Sequence, residues 1–112
     1  MKSVRTVTGT VSSAGDNTVI AAVANNRIKV QTICLITTSA SAVTCTFKDG
    51  AATNKALWTI PLQALTGSIS GVTSSAAGEN FLFAGSTNTL LNLHLSSAQS
   101  VTYNITFWDD ED

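Results

Sequence analysis

Hydrophobic and polar residues alternate with a period of two along most of the chain. From Ile28, every second residue through Ile36 falls on one side of an extended strand, and Val43, Cys45 and Phe47 do the same in the next run. Alternation of this kind indicates half-buried β-strands and not helices. It predicts these two strands and further strands over residues 4–12, 18–23, 56–62, 68–73, 80–83, 89–95 and 101–108.

Turn-forming segments separate the predicted strands, and no long helical pattern occurs. They contain the small and polar residues that adopt tight turns at low cost, and they lie at 14–17, 25–26, 48–50, 77–79 and 96–100. About eight or nine short strands with such turns predict an all-β, single-domain antiparallel β-sandwich of jelly-roll type. Pro61, the only proline, cannot donate a ladder hydrogen bond, so we expect it at a sheet edge or a bulge.

The two cysteines lie in consecutive predicted strands that are joined by the short segment 37–42. If these strands form a hairpin in which Ile36 faces Val43, then Cys34 faces Cys45 directly. A directly cross-strand disulfide is usually strained. We therefore expect two reduced thiols that face the core.

Two predicted strands carry apolar residues on both faces, which a free two-layer sandwich does not require. In one strand, Ile33 and Leu35 point to one face, and Cys34 and Ile36 point to the other. The predicted strand at 89–95 contains several leucines, also on both faces. Because the chain has few long side chains with which to build a third layer, a second copy is the expected cover, in a closed symmetric oligomer. The candidate interface with a subunit or another partner consists of Ile33, Leu35, Leu91, Leu93 and Leu95.

The composition indicates a surface that is easily covered. Of the 112 residues, 51 are Ala, Gly, Ser or Thr, only 12% are charged, and the formal net charge is -1. Short uncharged side chains lose little when another protein covers them, although Ser and Thr also suit the exposed face of ordinary strands. No cluster of Lys and Arg could follow a phosphate backbone, so we do not expect nucleic acid as a partner. No apolar run approaches the roughly 18 residues of a membrane-spanning helix, and we expect a soluble chain without a secretory signal.

Candidate chemistry is sparse. His94 is the only histidine and stands between two leucines, so a catalytic triad would need a nucleophile and an orienting acid from other strands. The cysteine pair lacks the further ligands of a zinc site, and no glycine-rich phosphate loop follows a strand. We therefore expect a protein that is not an enzyme and has no cofactor or metal. Trp58 and Trp108 either fill the core or form a sugar-binding platform.

Four of the seven acidic residues end the chain. We divide the chain into a β-sandwich domain at 1–108 and an acidic C-terminal tail at 109–112. The tail is either a solvated, self-repelling segment that discourages edge pairing, or an electrostatic tether to a basic patch on a partner. The candidate tether residues are Asp109, Asp110, Glu111 and Asp112.

Three stretches of the sequence resemble small bacteriophage virion proteins. They are RIKVQTICLITTSASAVTCTFKDG, LWTIPL and LLNLHLSSAQSVTYNITFW, and they span roughly residues 27–108. The family's IPL segment corresponds to Ile60, Pro61 and Leu62, and its closing strands to 91–95 and 101–107. The resemblance implies a jelly-roll β-sandwich that serves as a capsid decoration, or cement, protein, often as a trimer, and it brings no catalytic residues.

We therefore expect a bacteriophage structural protein, made in the reducing host cytoplasm and located on the outer capsid surface of the virion. Its partner would be the major capsid protein, whose subunits it would bridge and stabilise, and its expected state is a homotrimer. The alternative is a carbohydrate- or receptor-binding module of a phage tail or fibre, which needs an exposed Trp58 or Trp108. An enzyme would need His94 in a cleft beside a carboxylate. The acidic tail and the cysteine pair depart from the family pattern, which leaves the mode of attachment open.

Overall fold

Nine β-strands form the regular structure of the computed structural model, which describes residues 4–50, 55–71 and 81–111, with the backbone alone for 110 and 111. The strands are β1 (Arg5–Val11), β2 (Gly15–Ile20), β3 (Asn26–Thr37), β4 (Val43–Asp49), β5 (Lys55–Leu62), β6 (Gly67–Gly71), β7 (Phe83–Ala84), β8 (Leu91–Leu95) and β9 (Val101–Glu111). Within these ranges there is no helix, and so none that is long and apolar enough to cross a membrane. The predicted turn at 77–79, together with residues 72–73 and 80 of two predicted strands, lies outside the described residues.

The strands form two antiparallel sheets that face each other. Sheet A has the order β1-β9-β3-β6, with the short β7 also paired to β3, and sheet B has the order β2-β8-β4-β5. The chain passes repeatedly from one sheet to the other, as in a jelly roll. The predicted all-β sandwich is confirmed.

The predicted hairpin between β3 and β4 is wrong, because the two strands belong to different sheets. Cys34 in β3 lies opposite Asn104 and Ile69, whereas Cys45 in β4 lies opposite Ile60 and Leu95. The segment 38–42 therefore carries the chain between the sheets and does not close a two-stranded turn. Short polar segments are compatible with either connection, so strand alternation alone did not distinguish them.

A β-bulge in β3 reverses which residues face the core. The register with β9 shifts between Val30 and Thr32, and an extra residue in one strand moves all later side chains to the opposite face. Ile28 and Val30 are buried before the bulge, and Ile33 and Leu35 are buried after it. The prediction of one common face from Ile28 to Ile36 therefore fails beyond the bulge.

The core lies between the sheets and is filled from both of them. Phe47 of β4, Leu93 of β8 and Ile105 of β9 are 0% exposed. The ring of Phe83 lies 5.6 Å from that of Phe47 and is stacked on Trp58 at 6.1 Å. Full burial of a side chain of this size contributes about 1.5–3 kcal/mol. Alternate residues of two sheets thus suffice to build the core of a single chain.

The position of Pro61 agrees with the prediction for it. Strand β5 is at one edge of sheet B, where Pro61 is exposed and lies opposite Thr44 of β4. A missing donor costs little there, because the outer side of an edge strand has no ladder partner. At the other end of the chain, β9 continues three residues past the predicted domain boundary at 108, with 109–111 paired to 26–28 of β3.

Candidate interaction surface

The five residues predicted as an interface lie in the core of one chain. Their exposed fractions are 0–2%, and the residues are Ile33, Leu35, Leu91, Leu93 and Leu95. The prediction that they form a subunit or capsid interface is therefore wrong. For β3 the cause is the bulge, and for β8 the leucines are covered by sheet A of the same chain.

A different surface, the part of the outer face of sheet A that lies beyond the bulge in β3, is both exposed and uncharged. Four adjacent strands contribute alternate residues to it in register, so that Thr8, Asn104, Cys34 and Ile69 form one row across the sheet. We call this surface the threonine face. It consists of Thr6, Thr8 and Thr10 of β1, Thr102, Asn104 and Thr106 of β9, Thr32, Cys34 and Ile36 of β3, and Gly67, Ile69 and Gly71 of β6.

The threonine face contains an apolar patch at the β3 and β6 side. Ile69 is 83% exposed and Ile36 is 47% exposed, and Ile69 lies directly opposite the half-exposed Cys34. In β6 the half-buried residues are Ser68 and Ser70, so this strand directs its serines inward and its isoleucine outward. Such an inverted pattern is unfavourable in water, and it favours a partner that covers the outer side.

Covering the threonine face costs little free energy. No ion has to be stripped of water, and threonine is short and stiff at χ1, so it loses little rotamer freedom. Thr10 and Thr102 already share a hydrogen bond of 3.0 Å between their hydroxyls, so part of the polar surface stays satisfied when water leaves. The face is therefore suited to contact with another protein.

The first residue of the acidic tail is bound within the chain. Asn26 donates a hydrogen bond of 3.0 Å to the carboxylate of Asp109, and Arg5 forms an ion pair with it. The Arg5 guanidinium also lies 4.9 Å from the ring centre of Phe107. Residues 110 and 111 are described by their backbone in β9, and Asp112 lies outside the described residues. Asp109 is thus not available as a free tether.

His94 meets a carboxylate, but on an open sheet surface. Its Nδ1 lies 2.8 Å from Oδ1 of Asp16, and the two side chains are 34% and 33% exposed. Thr46 lies opposite His94 on the next strand, yet no hydroxyl of the described residues forms a hydrogen bond with the imidazole. General base catalysis needs the nucleophile within hydrogen-bond reach. Asp16 and His94 therefore have the arrangement of the acid and the base of a triad, but no hydroxyl in the described parts of the chain is bound to His94 as a nucleophile.

Neither tryptophan offers an exposed platform for a sugar ring. Trp108 is 0% exposed, and its Nε1 has no hydrogen-bond partner. Trp58 is half-buried against Phe83. Both residues thus contribute chiefly to packing, which removes the feature that a carbohydrate-binding module required.

The two cysteines are free thiols in different environments. Cys45 faces the core as predicted, and burial raises its pKa from 9.0 to about 11, which keeps the reactive thiolate scarce at neutral pH. Cys34 is half-exposed in the threonine face, so the prediction that it faces the core is wrong. Among the described residues, no group of three or more His, Cys, Asp or Glu side chains could hold a metal ion.

An apolar groove of about 300 Å³ opens between the sheets on the side of β1 and β2. Val7, Val19 and Phe107 contribute to its walls, and Arg5 is the charged residue of the lining. Since Arg5 is already paired with Asp109, the groove presents apolar surface without a constellation of catalytic groups.

The comparison with known proteins supports the fold. No protein-family model and no curated protein matches the sequence. The structure is similar to a chain from the Bacillus endospore appendages, which form a family of disulfide-linked pili, with a TM-score of 0.61 and 16% sequence identity. The similarity covers 100% of this chain and 92% of the appendage chain. At this identity it establishes a common β-sandwich fold.

The sequence contains a signal for the threonine face that strand prediction alone did not use. In β1, Thr6, Thr8 and Thr10 alternate with Val7, Gly9 and Val11, which marks one uncharged face and one inward face. The pairing of β1 with β9 and of β9 with β3, on which the rest of the face depends, joins strands far apart in the chain.

Proposed function

We propose that this protein is a non-enzymatic structural subunit that works by contact through the threonine face, and that its specific role is capsid decoration in a bacteriophage. The observation that carries the proposal is the uncharged threonine face of sheet A, in which Ile36 and Ile69 are exposed. The resemblance of the sequence to small virion proteins supplies the phage context. In this proposal the protein is on the outer surface of the virion and its partner is the major capsid protein.

Stabilisation of the shell would follow from binding to the assembled lattice. A subunit that contacts two neighbouring capsid proteins has its complete site only when both are in place. It therefore stabilises the assembled state by mass action. Ile36 and Ile69 would supply the apolar anchors, while the threonines would exclude water around them.

A homotrimer remains the proposed state, but its contacts must differ from the five core residues named above. The tether also stays a proposal for the three terminal residues, since Asp109 is held by Arg5 and Asn26.

Binding to undecorated capsids tests the role. The wild-type protein, Ile36→Asp and Thr59→Asp would be mixed with such capsids and sedimented, and the bound fraction would be measured. Thr59 is exposed on β5 of sheet B, so Thr59→Asp is a matched control on the opposite face. We expect binding by the wild type and the control, and loss of binding for Ile36→Asp. No binding by the wild type would reject decoration, and equal binding of all three would reject the threonine face as the contact.

A second candidate is a subunit of a surface fibre. The Bacillus endospore appendages are disulfide-linked pili, and their chain has the same fold over the whole length of this one. Here Cys34 is the half-exposed thiol, on the threonine face. Two Cys34 thiols of neighbouring copies could form a disulfide by passing two electrons and two protons to an oxidant such as oxygen.

Electron microscopy of the concentrated protein, with and without a thiol reductant, tests the fibre role. A Cys34 disulfide joins copies in pairs, so a fibre needs a second, noncovalent contact between the pairs; filaments that form under air, dissolve in reductant and fail to form with Cys34→Ser would support the role. A protein that stays dispersed in air at every concentration would contradict it. The carbohydrate- or receptor-binding alternative ranks last, since Trp108 is buried and Trp58 is half-buried.

A further inference from the structure

The two sheets differ in how their edge strands are protected. An edge strand presents unpaired N–H and C=O groups, and proteins usually block it with a proline, a charge or a bulge. Sheet A ends in β1 and β6, and sheet B ends in β2 and β5. The four edges can therefore be compared within one molecule.

Both edges of sheet B carry such protection. Strand β5 contains Pro61 and the exposed Lys55, and its register with β4 is interrupted by a bulge. Strand β2 contains the charged Asp16, and its register with β8 shifts between Thr18 and Ile20. Continuous pairing of a further strand with either edge is therefore unfavourable.

Both edges of sheet A lack a proline and a bulge, and the only charge in them is that of Arg5 at the start of β1. Strand β1 has 7 residues in unbroken register with β9, contains no proline, and has a single charge at Arg5, its first residue. Strand β6 has the sequence GSISG, without proline or charge. Among the described strands, none pairs with the outer side of β1 or of β6.

We propose that copies of this chain associate through the two open edges of sheet A, where β1 of one copy pairs with β6 of the next copy. We call this contact the assembly edge. Each neighbouring pair in the order β1-β9-β3-β6 is antiparallel, so β1 and β6 run in opposite directions at the two ends of the sheet. A second copy placed beside the first in the same orientation thus brings its β6 antiparallel to β1. One kind of contact satisfies both open edges and continues the alternation of the sheet.

The side chains at the two edges are compatible with this contact. Thr8 is the central residue of β1 and Ile69 is the central residue of β6, and both point to the threonine face. Pairing would place the 83% exposed Ile69 beside threonine methyl groups of the neighbour, and it would extend the threonine face across copies. A second copy is the fitting occupant because it offers an edge that runs in the required direction and has neither a proline nor a bulge.

Head-to-tail contacts close into a ring or continue as a filament, according to the rotation between copies. A ring of three would be the proposed homotrimer, whereas an open array would suit a fibre. The contact itself concerns copies of this chain and does not rest on either proposed role. Because the ladder is short, and small interfaces are weak, we expect association at high protein concentration.

Site-directed cross-linking of the full chain tests the contact. Two variants, Thr8→Cys and Ile69→Cys, would be prepared in a Cys34→Ala background, since Cys34 lies opposite Ile69. Cys45 is 0% exposed and can remain. A short bis-maleimide, whose reach tolerates a register shift of two residues, would be added to each variant alone and to an equimolar mixture. Thr59→Cys mixed with Ile69→Cys would serve as the control for random collision.

We expect covalent dimers in the mixture of Thr8→Cys with Ile69→Cys, in at least several-fold excess over the control and over each variant alone. Dimers of Thr8→Cys alone would overturn the head-to-tail contact in favour of pairing between two β1 strands. Yields equal to the control in all samples would overturn the assembly edge altogether. Since no capsid is present, failure here is distinct from failure of the binding test with Ile36→Asp.

Discussion

The carboxylate of Asp49 accepts two hydrogen bonds from Ser86, one from the backbone N–H at 2.9 Å and one from the hydroxyl at 2.5 Å. Asp49 ends β4 and is only 3% exposed. The bonds tie the segment after β7 to the end of sheet B. The buried Asp49 carboxylate thus holds the loop after β7 in place, and we call it the cap of this loop.

Removal of this cap should destabilise the protein. We expect Asp49→Ala to lower the free energy of unfolding by about 3 kcal/mol, since hydrogen bonds to a charged group contribute about 1.5–3 kcal/mol each. Ser86→Ala keeps the backbone bond and should cost about 1.5 kcal/mol, the lower end of the same range. Urea denaturation measures both, with Asp16→Ala as an exposed-acid control. A loss for Asp49→Ala no larger than that of the control would contradict the capping role.

The buried thiol of Cys45 predicts a loss of stability in alkaline solution. Burial raises its pKa from 9.0 to about 11, so the folded state keeps the proton that the unfolded chain releases. The contribution is therefore complete below about pH 9 and is lost as the pH rises to about 11. Each pKa unit corresponds to about 1.4 kcal/mol, which gives an expected loss on the order of 2 kcal/mol.

Urea denaturation between pH 8 and pH 11 checks this dependence against Cys45→Ala. Lysine and tyrosine titration affects both proteins, so the difference between them isolates the thiol. The wild type should lose more stability than the variant over this range. Parallel curves would show that the thiol does not contribute.

Leu35 and Ile36 are neighbours in β3 with opposite environments, since Leu35 is 0% exposed and Ile36 is 47% exposed. Leu35→Asp should prevent folding, because it places an unpaired charge in the core, and Leu35→Ala should cost about 2–5 kcal/mol. Ile36→Asp should change the free energy of unfolding by less than about 1 kcal/mol. Circular dichroism melts distinguish the three. An unfolded Ile36→Asp, or a stable Leu35→Asp, would contradict the assignment of the two faces.

The end of β9 should contribute to stability through backbone pairing and through Asp109. A chain that ends at Trp108 loses the ion pair with Arg5, the bond from Asn26 and the pairing of 109–111 with 26–28. We expect a loss of about 2 kcal/mol, given about 0.5–1.5 kcal/mol for each net hydrogen bond.

The matched variant neutralises the last three residues and keeps Asp109, as Asp110→Asn, Glu111→Gln and Asp112→Asn. Its thermal midpoint should stay close to that of the wild type. If truncation and neutralisation had the same effect, charge and not strand pairing would explain the role of this segment. With capsids, the neutralised variant also tests the tether, because a tether predicts weaker binding and a smaller response to added salt.

Sequence alternation was sufficient to predict the strands and the sandwich, but not the inner and outer faces of β3. The reason is local, since the bulge between Val30 and Thr32 inserts a residue that no feature of the alternation marks. The sequence predicts Leu91, Leu93 and Leu95 as an interface because leucines are frequent in β8, yet His94 and the buried Asn92 occupy the other side of this strand. Register and sheet order arise from contacts between distant strands, which a pattern along the chain does not contain.

The bulge in β3 also limits how this strand can change during evolution. If the bulge were straightened with all residues of β3 retained, Ile33 and Leu35 would turn outward and Cys34 and Ile36 would turn into the core, whereas deletion of Gln31 would leave both faces as they are. A shift of the pairing by one residue beyond Val30 would therefore exchange the interior and the exterior along half of the strand. Substitutions can vary the threonine face one residue at a time, whereas loss of the bulge without loss of a residue would alter every position of β3 beyond it.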